Sequence, residues 1–185
     1  MKKTVLLIIT ILVICSGTVS ADFNIKVGLD FTGDQEWSYE NNYYDVMDSF
    51  VVAGEYFVPF NDKLDMGAGV SLQTPRGEAA ETVDEDVIFN FISFYSMFKY
   101  DVDKLYFTGQ FGYNLFNTNE ELIPDSDDFN PQGGLYYGIG TGMSFSSNVF
   151  GEILYTVNNG SISNNADTVN VRNAQISLMV GFSFE

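Results

Sequence analysis

Past its first twenty-one residues the chain alternates oily and polar side chains with a period of two. In residues 22–31, Phe23, Ile25, Val27, Leu29 and Phe31 fall on one side, and Asn24, Lys26, Gly28 and Asp30 on the other. An extended strand sends successive side chains to opposite faces, so this spacing describes a strand with one oily and one polar face. Seven more segments read the same way: 50–58, 64–72, 88–100, 105–115, 135–145, 149–157 and 174–184. In 105–115 the oily set is Leu105, Phe107, Phe111, Tyr113 and Leu115, opposite Thr108, Gln110, Gly112 and Asn114. In 149–157 it is Val149, Ile153, Tyr155 and Val157, with Glu152 on the polar side.

The connections alternate in length. Residues 60–63, 101–104 and 146–148 are tight turns built from Asn, Asp, Ser and Lys, residues that favour turn geometry. Residues 32–49, 73–87, 116–134 and 158–173 are long, and each is expected to include some strand extension. They carry Pro75, Pro124, Pro131 and most of the acidic side chains.

Residues 1–21 read as a cleavable export signal. Lys2 and Lys3 precede an apolar run over 5–15, and Val19-Ser20-Ala21 fits the small-residue rule for cleavage after Ala21. The run is shorter than the roughly 20 residues a bilayer-spanning helix needs. Cleavage leaves residues 22–185 as one domain. Cys15 departs with the signal, so disulfides and thiolate chemistry are excluded from the mature chain. All 25 acidic residues remain against six of the eight basic ones, a net charge of −19 that repels nucleic acid. No later segment is a long apolar run, which excludes helical membrane spans.

Eight amphipathic strands fit a sandwich, a soluble barrel or a membrane barrel. A soluble barrel hides its oily face inside, whereas a membrane barrel turns it to lipid and keeps a polar lumen. Here the polar face is dominated by Gly, Ser, Asn, Gln and a few charges, and inward glycines suit a narrow barrel. The short-turn, long-loop rhythm matches short periplasmic turns and longer extracellular loops. Swapping the faces would bring Lys26, Lys99, Glu55 and Glu152 to lipid, where a midplane Lys costs about 2–4 kcal/mol. The expected fold is therefore all-β: a closed, eight-stranded, antiparallel up-and-down transmembrane β-barrel. Closure is required because an open edge would leave backbone groups unpaired in lipid.

The stretch Glu55-Tyr56-Phe57-Val58-Pro59-Phe60-Asn61-Asp62-Lys63-Leu64, running into Gly67-Ala68-Gly69-Val70, resembles the first periplasmic hairpin of OmpA-like outer-membrane barrels. The ending Gly181-Phe182-Ser183-Phe184 resembles the aromatic C-terminal strand that the barrel-assembly machinery recognises, with Glu185 added after it. The resemblance implies a Gram-negative outer-membrane location, contact with outer-membrane lipid and lipopolysaccharide, and handling by that machinery. Known barrel enzymes of this membrane, acting on lipid A, phospholipid or protein, rely on a histidine. This chain has none, so an enzyme is not expected, and no catalytic, cofactor or metal set is assigned.

The inward charges form the candidate site. Lys26 and Glu55 lie on neighbouring strands, as do Asp65 and Lys99, and Glu152 adds a further carboxylate. They read as a structural network that plugs the lumen; the other reading is a narrow pore for small solutes. The acidic loops, with Glu78, Glu81, Asp84, Glu85 and Asp86 in one and Glu120, Glu121, Asp125, Asp127 and Asp128 in another, read as a solvated surface. Divalent-cation bridging to lipopolysaccharide, or an extracellular ligand, is the sharper alternative. Tyr39, Tyr43 and Tyr44 read as part of an outer aromatic girdle, and Trp37 is left open between girdle and receptor patch.

Overall fold

A computed structural model describes residues 21–37, 42–77, 88–118, 130–163 and 168–184. Ten strands run in chain order: β1 (Asp22–Trp37), β2 (Asn42–Val46), β3 (Ser49–Asn61), β4 (Leu64–Gln73), β5 (Arg76–Gly77), β6 (Ile88–Val102), β7 (Leu105–Thr118), β8 (Asn130–Ser144), β9 (Val149–Ser163) and β10 (Thr168–Phe184). β2 and β3 pair with successive parts of β1, so they are two pieces of one ring position. β4 and β5 are likewise paired along β6. The sheet is therefore antiparallel with eight positions, and β10 returns to pair with β1 from Phe23↔Phe184 to Trp37↔Val171. Among the described residues the eight positions close into a ring, with β2 and β5 each in a ladder on one side only.

The three tight turns are held by local side chains. Asn61 Oδ1 accepts the N–H groups of Lys63 and Leu64 at 3.0 and 3.1 Å. Asp103 adopts φ 57°, a left-handed conformation that Asp tolerates better than most residues. Ser146 Oγ accepts the Val149 N–H at 3.2 Å. Pro59, which has no N–H to give, sits at a register shift between Pro59 and Asn61. The strands run past the alternating segments at the opposite end: β1 reaches Trp37, β8 begins at Asn130 and β9 ends at Ser163. The acidic residues 78–86 and 120–128, Tyr39, and residues 1–20 lie outside the described residues. So do the side chains of Trp37, Tyr43 and Tyr44.

The oily rows face outward all round the ring. Phe50, Phe111 and Ile139 are each more than 60 % exposed, and the β1, β7 and β10 rows are exposed along their lengths. Val157 departs from the expectation. It lies in the outward row but is fully buried. Val157 stands opposite Tyr137 of β8 and Ala174 of β10, the strands that flank it.

The inner face is less polar than its composition suggests. Phe57, Tyr95, Met97 and Tyr136 form one buried cluster, and Val51, Ala53 and Met179 another. Phe89, Phe91, Phe116, Ile162, Val169, Val171 and Val46 form a third at the long-loop end. Large inward residues fit because a glycine stands opposite on the neighbouring strand: Gly69 opposite Tyr95, Gly142 opposite Tyr106, Gly181 opposite Phe150. A Cβ on Gly142 would lie 2.1 Å from the Tyr106 ring. Gly142→Ala is therefore expected to destabilise the refolded protein by about 1–3 kcal/mol through overpacking. Gly54→Ala, whose Cβ would meet nothing nearer than 3.7 Å, should change stability by less than about 0.5 kcal/mol. Urea unfolding from lipid vesicles, monitored by tryptophan fluorescence, measures both.

Candidate functional site

The lumen is organised around one buried ammonium. Lys26 of β1 stands opposite Ala53 of β3 and Gly181 of β10, small residues that leave room for its long side chain. Its Nζ lies 2.6 Å from Glu55 Oε1 and 2.7 Å from Glu152 Oε1, and all three side chains are almost wholly buried. The sequence-expected Lys26–Glu55 pair is thus present, and Glu152 completes a triad from β9. A belt of neutral donors supports the carboxylates. The Tyr95 hydroxyl donates to Glu55 at 2.9 Å, Gln110 Nε2 donates to Glu55 at 3.3 Å, and the Tyr106 hydroxyl donates to Glu152 at 3.0 Å. Tyr136 in turn donates to Gln110 Oε1 at 2.5 Å.

Asp65 and Lys99 stand directly opposite each other on β4 and β6. They approach to 3.5 Å, with Asp101 at 3.4 Å on the other side of the ammonium. This group is partly open to solvent near the tight turns. All five sequence-expected residues are therefore in the lumen, but in two separate groups.

A further polar layer lies above the triad, toward the long loops. Asp30 accepts hydrogen bonds from Ser177 at 2.5 Å, Gln73 at 2.8 Å and Ser49 at 3.3 Å. Arg76 donates to Asn173 and Gln175 and lies 5.4 Å from the Phe89 ring centroid. Asp30 was visible in the polar row of its strand. Arg76 was not, because Pro75 interrupts the alternation and the segment reads as loop. Above Arg76 the Phe89, Phe91 and Phe116 rings pack at centroid separations of 5.0 to 6.4 Å.

Burial sets the energetic ranking. One ammonium holds two almost wholly buried carboxylates, so removing it strands two charges. Lys26→Met is expected to cost about 3–5 kcal/mol, whereas Lys99→Met, in the partly exposed group, should cost less than about 1 kcal/mol. Adding Glu55→Gln and Glu152→Gln to Lys26→Met should recover much of the loss. Urea midpoints of the four proteins in vesicles test this ordering, and equal midpoints for the two lysine variants would contradict it.

Among the described residues, no group of three acidic, His or Cys side chains is placed to hold a metal ion. The triad carboxylates are packed against tyrosine and glutamine, an arrangement that fixes charge and shape.

No family model matches the chain, and no curated protein matches it in sequence. Solved structures do match in fold. Ail, the attachment invasion locus protein of Yersinia pestis, solved in complex with the heparin analogue sucrose octasulfate, aligns with TM-score 0.55 at 16% identity. The alignment covers 89% of this chain and 99% of that one. Neisserial surface protein A aligns with TM-score 0.57 at 15% identity, over 89% and 99% of the two chains. Outer membrane protein AlkL, solved in lipid bilayers, aligns with TM-score 0.51 at 12% identity, over 92% and 93%. The chain has the fold of small eight-stranded outer-membrane β-barrels.

Proposed function

We propose that this chain is an outer-membrane protein whose ring spans the bilayer as a transmembrane barrel. Its role is envelope structure or surface interaction through its long loops, and not catalysis. The continuous outward apolar band carries this reading. Thirty-three large apolar side chains are exposed among the described residues. At about half of each side chain this amounts to on the order of 3,000 Å², against roughly 300–600 Å² for the largest patch on a soluble monomer. On β7 the exposed row runs from Leu105 to Leu115. At about 3.4 Å per residue and a tilt near 40°, that row is about 25 Å tall, the height of the apolar band of outer-membrane barrels. Residues 1–21 would direct export and be cleaved, and the assembly machinery and lipopolysaccharide would be the partners that location supplies.

The lumen supports a plugged barrel more than a pore. The triad and the layer above it are buried, and the phenylalanine cluster closes the long-loop end. The narrow-pore reading rests on the cavity at the short-turn end and on a small one of about 20 Å³ beyond Lys26. The surface charge also bears on loop partners. Ail has been solved with a heparin analogue, a polyanion. This chain carries a formal charge of −17, and Arg172 is the one outward-facing Lys or Arg among its described residues at the long-loop end, so a polyanion is a poor match.

The folded protein is expected in the outer-membrane fraction, migrating differently on a gel before and after boiling. In planar bilayers it should show no regular conductance steps. Recovery as a soluble periplasmic protein would overturn the membrane reading, and regular steps would favour the pore.

A further inference from the structure

The short-turn end of the lumen opens into a cavity of about 120 Å³. Asp22, Glu55, Asp65 and Glu152 line it, with Lys99 as the one cation in the lining. Lys26 holds the two glutamates from beneath. With Asp101 beside Lys99, five carboxylates meet Lys26, Lys99 and the α-ammonium that Asp22 carries once residues 1–21 are cleaved, a formal charge of −2. Lys26 is shared by Glu55 and Glu152, and Lys99 by Asp65 and Asp101, so each lysine leaves one carboxylate charge in excess. Asn24 belongs to the same lining. It is 7 % exposed, and its Oδ1 has no hydrogen-bond partner. The lining therefore has one buried acceptor without a donor, beside an excess of negative over positive charge. Beyond its floor the triad, the Asp30 layer and the apolar cluster close the way, so it is reached from one side.

Glu55 and Glu152 share Lys26 and Asp65 pairs with Lys99, and no three acidic groups among the described residues are placed to hold a metal directly. That arrangement suits a ligand that carries hydrogen-bond donors along with its charge. We infer that this dead-end vestibule binds small organic cations bearing a primary ammonium group. The donors such a group brings match the unpaired Asn24 oxygen and the carboxylates, and the cavity volume admits a short alkyl amine with water.

Thiol reactivity in the refolded mature chain, residues 22–185, which holds no native cysteine, tests this. Ser144→Cys places a thiol in the vestibule wall, and Ser147→Cys serves if that variant folds poorly. Relative to a free thiol, a cationic methanethiosulfonate should react about tenfold faster than an anionic one, the local enrichment expected for a charged cleft. 1,4-Diaminobutane should slow the reaction several-fold, while 1,4-butanediol should not. Asp22→Asn combined with Asp65→Asn should bring the ratio of rates toward one. Ser93→Cys, beyond the triad, should resist both reagents. Equal rates for the two reagents would overturn the proposal. So would Mg²⁺ protecting as well as the diamine at the same concentration, or rapid reaction of the Ser93→Cys thiol.

Discussion

The pairing of β10 with β1 is the interaction on which the rest of the structure depends. Every backbone N–H and C=O in a lipid-facing sheet needs a partner, because no water is there to supply one and each unpaired group costs several kcal/mol. The register from Phe23↔Phe184 through Phe31↔Ile176 supplies those partners along the last seam. Closure also decides which face is inside. Once the ring is shut, the polar row containing Lys26, Glu55 and Glu152 is confined to a lumen too narrow for both side chains and bulk water.

That confinement explains the lumen's mixed chemistry. Eight strands enclose a fixed volume, so bulky inward residues are admitted only where a neighbour has no side chain, as Tyr106 is by Gly142. The tyrosines so admitted donate to the triad carboxylates, and packing and electrostatics are therefore one network. Losing Tyr106 would open a cavity and also take a hydrogen bond from Glu152. The apolar cluster at the long-loop end completes the seal with side chains that offer nothing to an ion.

Much of this was legible from period two alone. The eight positions, the outward rows of β1, β7 and β10, the tight turns and the inward direction of all five charged residues follow from spacing. The pairing of Lys26 with Glu55 followed from adjacency. The joining of Glu152 to them did not, because it depends on how the ring is staggered, and stagger is set by closure between strands far apart in sequence. Arg76 was hidden by Pro75 and the short break after β4. Phe89, Phe91 and Phe116 were hidden for a different reason: an inward aromatic and an outward one look alike unless the phase of the strand is known. Val157 keeps the outward phase that its spacing gives, but its burial between β8 and β10 depends on the neighbouring strands and not on spacing.

The central claim is that the alternating rows of a closed ring face lipid outside and a packed lumen inside. Nitroxide labels placed singly along residues 105–115 of β7, in protein refolded into bilayers, test it most directly. Collision with dissolved oxygen should peak at Phe107, Phe111 and Tyr113 and fall at Thr108, Gln110 and Asn114, a period of two with the oily row in lipid. Outward labels that instead collide more with a water-soluble nickel complex, or oxygen accessibility without a period of two, would contradict the account.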